Sequence, residues 1–169
     1  MSGTEPARTR SRATRPSGAT AAAGSWAGLP LGARVLVDSA PIIYLLEGHA
    51  QFLPAFIGLF EADAAGELQI AISTITLAEV LTGPLRGGQD ALAQRYERAL
   101  AHYTVVPVSS TIAALAARMR ARYKLKLPDA IQLATALDLE ATALVTHDRD
   151  FAQVRGLLIL QGDPQASRS

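Results

Sequence analysis

The sequence predicts an α/β fold: a parallel sheet covered on both faces by helices. Two observations carry this expectation. Short apolar runs rich in β-branched residues recur along the chain, as RVLV, LQIAIS, TVVPVS, ATALVT and LLIL, and each has the texture of a buried strand. Longer segments with helical apolar spacing fall between most of these runs, and strands separated by helices build a parallel sheet with helices on its faces. No repeat of solenoid period is visible. The 169 residues, 49% of them hydrophobic, suffice for one domain with a sizeable core.

Residues 1–32 are Ser, Thr, Pro, Gly, Ala and Arg with little to bury, and read as a disordered basic extension. A domain is expected over 33–162, followed by a flexible tail over 163–169. RVLV, beginning at Arg34, is a strand that ends in Asp38. Ser39 opens an apolar-periodic helix, APIIYLLEG, with a hydroxyl suited to an N-cap and Pro41 tolerable in the first turn; Asp38 is the other capping candidate. FLPAFIGLFEADAAGE is a helix closed near Gly66, LQIAIS a strand, and TITLAEVLTG a helix capped by Ser73 or Thr74. GGQDALAQRYERALAHY forms the next helix after a glycine pair, and TVVPVS the next strand. STIAALAARMRARYKL and LPDAIQLATALDLE are successive helices. ATALVT is a strand, HDRDFAQV a loop or short helical turn, and LLIL an edge strand.

Composition excludes several classes. With no cysteine there is neither a disulfide framework nor a thiolate zinc site, and His49, His102 and His147 lack ligand-like spacing. No stretch approaches the roughly 20 apolar residues of a membrane span, and the N-terminus lacks the apolar h-region of a secretory signal, so a soluble, cytoplasmic protein is expected. The net charge of +1 hides an asymmetry: residues 1–32 carry Arg8, Arg10, Arg12 and Arg15 against Glu5 alone, which leaves the body slightly acidic. An acidic body is a poor general binder of nucleic acid, so such contact requires a local patch. The Arg-rich arm also has the composition of a transit peptide or nucleic-acid tail, although a bland extension accounts for it.

Four acids fall at structural junctions. Asp38 ends the first strand, Glu79 lies in the helix after the second, Asp129 opens a late helix, and Asp148 follows ALVT. Ligands of open parallel sheets bind outside the carboxyl ends of the strands, so Asp38 and Asp148 arrive at the same edge. A carboxylate cluster without histidine or cysteine suits a hard divalent cation such as Mg²⁺ or Mn²⁺, and such a site supports metal-assisted phosphodiester hydrolysis. Each acid also has a plainer use. Asp38 and Asp129 are suited to capping, worth roughly 0.5–2 kcal/mol, whereas Glu79 sits among Ile75, Leu77, Val80 and Leu81, where an unpaired charge is costly.

VLVDSAPIIYLLEG, STITLAEVL, LPDAIQLATAL and LVTHDRDF, in this order and spacing, resemble the signature segments of the PIN-domain family, and especially its VapC-like toxin ribonucleases. The likeness covers about Arg34 to Leu160. It implies a three-layer α/β/α sandwich and an Mg²⁺- or Mn²⁺-dependent endoribonuclease, the toxin of a toxin-antitoxin pair. It assigns catalytic and metal-binding roles to Asp38, Glu79, Asp129 and Asp148, with Asp150 next to the last as a further ligand or as a tether for the turn before Phe151. It also implies a homodimer and a cognate antitoxin that occludes the active site. His147 stands where the family often has a small polar residue; contact with substrate or titration near neutrality is one use of a histidine there, and a solvent-exposed loop histidine is the expectation.

Around these acids, Ser39 and Thr146 offer hydroxyls for a ligand water or phosphate, or serve as helix caps. Arg118, Arg120, Arg122, Lys124 and Lys126 form the densest basic run of the body, leading to Asp129. Arg118 and Arg122 share one helix side, and with Lys126 they make a candidate track for RNA phosphates; a solvated helix face is the alternative. Two other readings compete with the nuclease. A catalytically silent PIN-like module that binds RNA or protein has no need of a repulsive acidic cluster. A phosphoacceptor of receiver type wants an early acidic pair and a late lysine, which VLVDSAP and ALVTHDRD do not supply.

Overall fold

The computed structural model describes residues 26–162; the expectations for 1–25 and 163–169 lie outside the described residues. Five strands form one sheet: β1 (Ala33–Val37), β2 (Leu68–Ser73), β3 (Thr104–Val106), β4 (Ala143–Val145) and β5 (Leu158–Leu160). The order across the sheet is β3-β2-β1-β4-β5 and every pairing is parallel. Six helices connect and cover it: α1 (Ser39–Glu47), α2 (Ile57–Ala64), α3 (Thr74–Arg86), α4 (Asp90–Leu100), α5 (Ser110–Tyr123) and α6 (Leu127–Asp138). This is the three-layer α/β/α arrangement expected for a PIN-like domain.

The strand patterns explain the two cores. Val35 and Val37 of β1 face one side with Ile70, Ile72, Val145 and Phe56. Leu36, with Ala71 and Leu144, faces the other, against Ile112, Leu133 and Phe151. Alternate residues point to opposite faces of a sheet, so a strand that is apolar at successive positions feeds both helical layers at once.

Several boundaries differ from the sequence reading for local reasons. Asp38, not Ser39, caps α1, its side chain accepting from the Ser39 N–H. Ser73 caps α3 by accepting from the Thr76 N–H. That helix runs through Gly83 and the buried Pro84 to Arg86, because a proline near the last turn forfeits only one internal bond. The long apolar segment after Gly48 breaks into a 3₁₀ turn, Leu53–Ala55, and the shorter α2, with Pro54 inside the turn. Trp26 and Leu29 pack against the core, so residues placed by composition in the extension belong to the packed body: an indole ring gains too much from burial to stay in water.

Candidate active site

The strand order reverses between β1 and β4: the chain builds outward from β1 to β2 and β3, then returns to lay β4 and β5 on the other side. The crevice at the carboxyl ends of β1 and β4 is therefore the place where an open α/β sheet holds ligands. Asp38 leaves β1 there, and Thr146, His147 and Asp148 leave β4. The Asp38 N–H bonds the Val145 carbonyl at 2.9 Å, tying the two exits together.

Asp38 is nearly buried, 8% exposed, and its carboxylate is surrounded by donors. Oδ1 accepts from the Ser39 N–H at 2.7 Å and from Gln132 Nε2 at 3.2 Å; Oδ2 accepts from the Thr146 hydroxyl at 2.8 Å. An acceptor-only carboxylate fixes the Gln132 amide with its nitrogen inward, and Nε2 also donates to Thr76 Oγ1 at 2.8 Å. Gln132 is itself buried at 1%, and its Oε1 has no partner. Thr146 Oγ1 accepts in turn from the Asp148 N–H at 3.0 Å. Thr146, expected to meet a ligand water or phosphate or to serve as a cap, is buried here, with its hydroxyl bonded to Asp38 and to the Asp148 N–H. The Ser39 hydroxyl lies 3.4 Å from Asp38 Oδ1, at the edge of hydrogen-bonding range.

Asp129 behaves differently. It stands at the third position of α6, whose N-cap is Lys126 without a side-chain capping bond. Its Oδ2 is buried and has no hydrogen-bond partner, so the capping explanation fails at that atom. Asp129, Asp148 and Asp150 each offer a carboxylate oxygen, all within 4.8 Å of one another. Burial above all, then the charges of Asp148, Asp38 and Asp150, push the Asp129 carboxyl up to about 6, with Lys126 pulling it down. Asp148 Oδ1 accepts from the Asp150 N–H at 2.8 Å, shaping the turn that presents both acids. Asp150 also meets Lys126 Nζ at 3.7 Å, an exposed pair of little energetic weight.

The five sequence-predicted acids are therefore arranged unequally. Asp129, Asp148 and Asp150 cluster; Asp38 lies outside that group and acts on Asp129 through its charge. Glu79 is half-buried on α3, one turn beyond Thr76 and on the same side of the helix, and it too lies outside the three-acid group. Arg118, Arg122 and Lys126 are exposed. Lys124 leaves the helix as its left-handed C-cap, φ 56°.

Three participants were not legible as site residues: Thr76, Gln132 and Tyr44. Gln132 carries a faint signal, a polar residue three positions after Asp129 on an otherwise apolar helix. His147 departs from expectation, since it is half-buried and its Nδ1 lies 2.7 Å from the Tyr44 hydroxyl. Burial, and then the charge of Asp38, hold the Tyr44 phenol above its usual value.

An all-oxygen donor set fits a hard divalent cation, and the unpartnered Asp129 oxygen flanked by two further carboxylates is the observation that favours one. The chain belongs to the PIN domain family, whose profile matches residues 35–157. A sequence search against curated proteins finds no match. Among solved structures, the chain resembles a protein of a toxin-antitoxin complex from Klebsiella pneumoniae at 35% identity, covering 73% of this chain and 95% of that one, with a TM-score of 0.59. It shares its fold with a chain of VapBC2 from Rickettsia felis bound to a promoter DNA fragment, at 18% identity, 77% and 99% coverage and TM-score 0.64. It also shares it with Mycobacterium tuberculosis VapC20, a Sarcin-Ricin loop cleaving toxin, at 18% identity, 73% and 96% coverage and TM-score 0.56.

Proposed function

We propose that this protein is a metal-dependent endoribonuclease, the toxin of a toxin-antitoxin pair, acting in the cytoplasm as a homodimer restrained by a cognate antitoxin. The observation that carries the nuclease reading is the buried, unpartnered Oδ2 of the half-buried Asp129, whose carboxyl is pushed up to about 6 beside Asp148 and Asp150. A protein that only binds RNA gains nothing from such repulsion. Family membership and the 35% identical relative from a toxin-antitoxin complex support the toxin role and the antitoxin partner. No helix among the described residues is long and apolar enough to cross a membrane.

In this reading Asp129, Asp148 and Asp150 hold Mg²⁺ or Mn²⁺, with Asp38 and Glu79 completing the acidic wall. A bound divalent ion supplies an activated water and charge stabilisation for phosphodiester hydrolysis. The protein's part is to present oxygens in fixed positions. Ser39, Gln132 and Thr146 hold the Asp38 carboxylate in a fixed orientation by donating to it, and the Thr146 hydroxyl links it to the Asp148 backbone. Arg118, Arg122 and Lys126 attract the phosphate backbone from outside the pocket.

Incubating the full chain with single-stranded RNA, with and without Mg²⁺ or Mn²⁺, tests this. Cleavage is expected only with the ion, is expected to stop with chelator, and is expected to fall by at least about a hundredfold in Asp129→Asn. Wild-type rates in Asp38→Asn and Asp129→Asn together would reject the site.

A further inference from the structure

His147 sits between Thr146, which bonds Asp38, and Asp148, which belongs to the acidic cluster. Its ring is held rather than free. Tyr44, Phe52 and Phe56 meet it nearly edge-on, with centroids at 5.5, 4.9 and 5.9 Å and interplanar angles of 78°, 62° and 71°. The Tyr44 hydroxyl fixes one nitrogen, Nδ1, at 2.7 Å. The contact admits either direction, set by the ring's tautomer; with the phenol O–H donating to Nδ1, the N–H of a neutral ring lies at Nε2. His147 is half-buried, and no hydrogen bond to its Nε2 is formed among the described residues.

A fixed donor beside a carboxylate cluster is of use to an anion that must approach that cluster. Its neighbours Asp129, Asp148 and Asp150 repel a polyanion, and a backbone phosphate lying next to the hydrolysed one needs a compensating contact. We propose that His147 is a substrate-binding residue whose Nε2–H donates to a phosphate oxygen of RNA adjacent to the scissile position, with Tyr44 as the positioning residue that fixes the ring. The inference rests on the ribonuclease reading. The aromatic wall supplies rigidity: a preorganised donor loses less freedom on binding than a mobile lysine.

The test compares wild type, His147→Ala, His147→Gln and Tyr44→Phe as full chains. RNA affinity is read by anisotropy with labelled oligo-U and oligo-A, in an Asp129→Asn background so that binding is measured without turnover; KM and kcat are read in the otherwise wild-type chains with Mg²⁺. His147→Ala is expected to weaken binding of both oligonucleotides about tenfold and to raise KM by a similar factor with kcat little changed. Glutamine, which keeps a donor at similar reach, is expected to recover most of the loss, and Tyr44→Phe to cost about threefold. Thermal melting identifies any variant that fails to fold; Tyr44→Phe and His147→Gln, the milder changes, carry the test if alanine does not. Unchanged affinity in His147→Ala, a loss in kcat alone, or no recovery with glutamine would overturn the assignment. A loss confined to one oligonucleotide assigns a base contact instead and overturns the phosphate contact. If wild type cleaves no RNA under any metal condition, the ribonuclease reading fails on that arm, and the binding arm still judges His147 separately.

Discussion

Asp129 is charged at a cost, and the sign of that cost can be measured. Its folded value of about 6 lies above the ordinary 3.8, so the folded state holds a proton that the unfolded chain has already released across the interval between them. The contribution of Asp129 to the stability of the metal-free protein is therefore greatest below about pH 4, is lost as pH rises through about 6, and is flat above. Thermal melting from pH 4.5 to 8 in chelator is expected to show this decline, and Asp129→Asn is expected to flatten it and to melt higher than wild type at pH 8. Divalent cations compete with the same proton, so metal affinity measured by calorimetry is expected to weaken below about pH 6. Gln132 works in the opposite sense. Its Nε2 stabilises the Asp38 anion while its Oε1 goes unpartnered; Gln132→Met removes both. Cleavage is expected to fall about 10–100-fold, the usual scale for losing a residue that orients a metal ligand, while the melting temperature changes little, because an unsatisfied buried acceptor leaves with the donor.

α6 is the element that brings the site and the core together. It presents Asp129 in its first turn, Gln132 one turn later, and then packs Ala130, Leu133, Ala134 and Ala136 at 0% exposure against β4 and α5. Small side chains let it lie close to its neighbours, and Ala134→Leu is expected to cost about 1–3 kcal/mol through overpacking, read as a lower melting temperature. The apolar spacing that enables this packing was legible in LPDAIQLATAL, as were the strands and the acids at their ends, because both follow from local periodicity. The polar network was not. Gln132 bonds Thr76 and Asp38 across 56 and 94 residues, Tyr44 meets His147 across 103, and Thr146 reaches Asp38 across 108. Such pairs depend on how the sheet is ordered. The arrangement of the acids depends on the fold in the same way: Asp150, a further ligand or a tether by sequence, groups with Asp129 and Asp148, and Glu79 lies a turn beyond Thr76, outside that group.

At the scale of the whole molecule, the parallel sheet directs the carboxyl ends of β1 and β4, and the acids that follow them, into one crevice. The body is slightly acidic overall, so unassisted approach of RNA to that crevice is repulsive. Under the proposed function, Arg118, Arg122 and Lys126, all exposed, supply the compensation, and Lys126 already lowers the proton affinity of Asp129. If these three residues neutralise backbone phosphates, each releases condensed counterions on binding, and the logarithm of the association constant falls against the logarithm of salt with a slope of about −0.7 per contact on a single strand. Replacing all three by alanine is then expected to make that slope shallower by about 2, measured from 50 to 200 mM salt by anisotropy in the Asp129→Asn background, and to weaken binding most at the low-salt end. His147→Ala, which removes a hydrogen bond and no formal charge, is expected to lower the same line with its slope kept. Parallel lines for the triple variant and wild type would show that RNA reaches the crevice by another face, since no other property of three lysine and arginine side chains would leave the salt dependence unmoved.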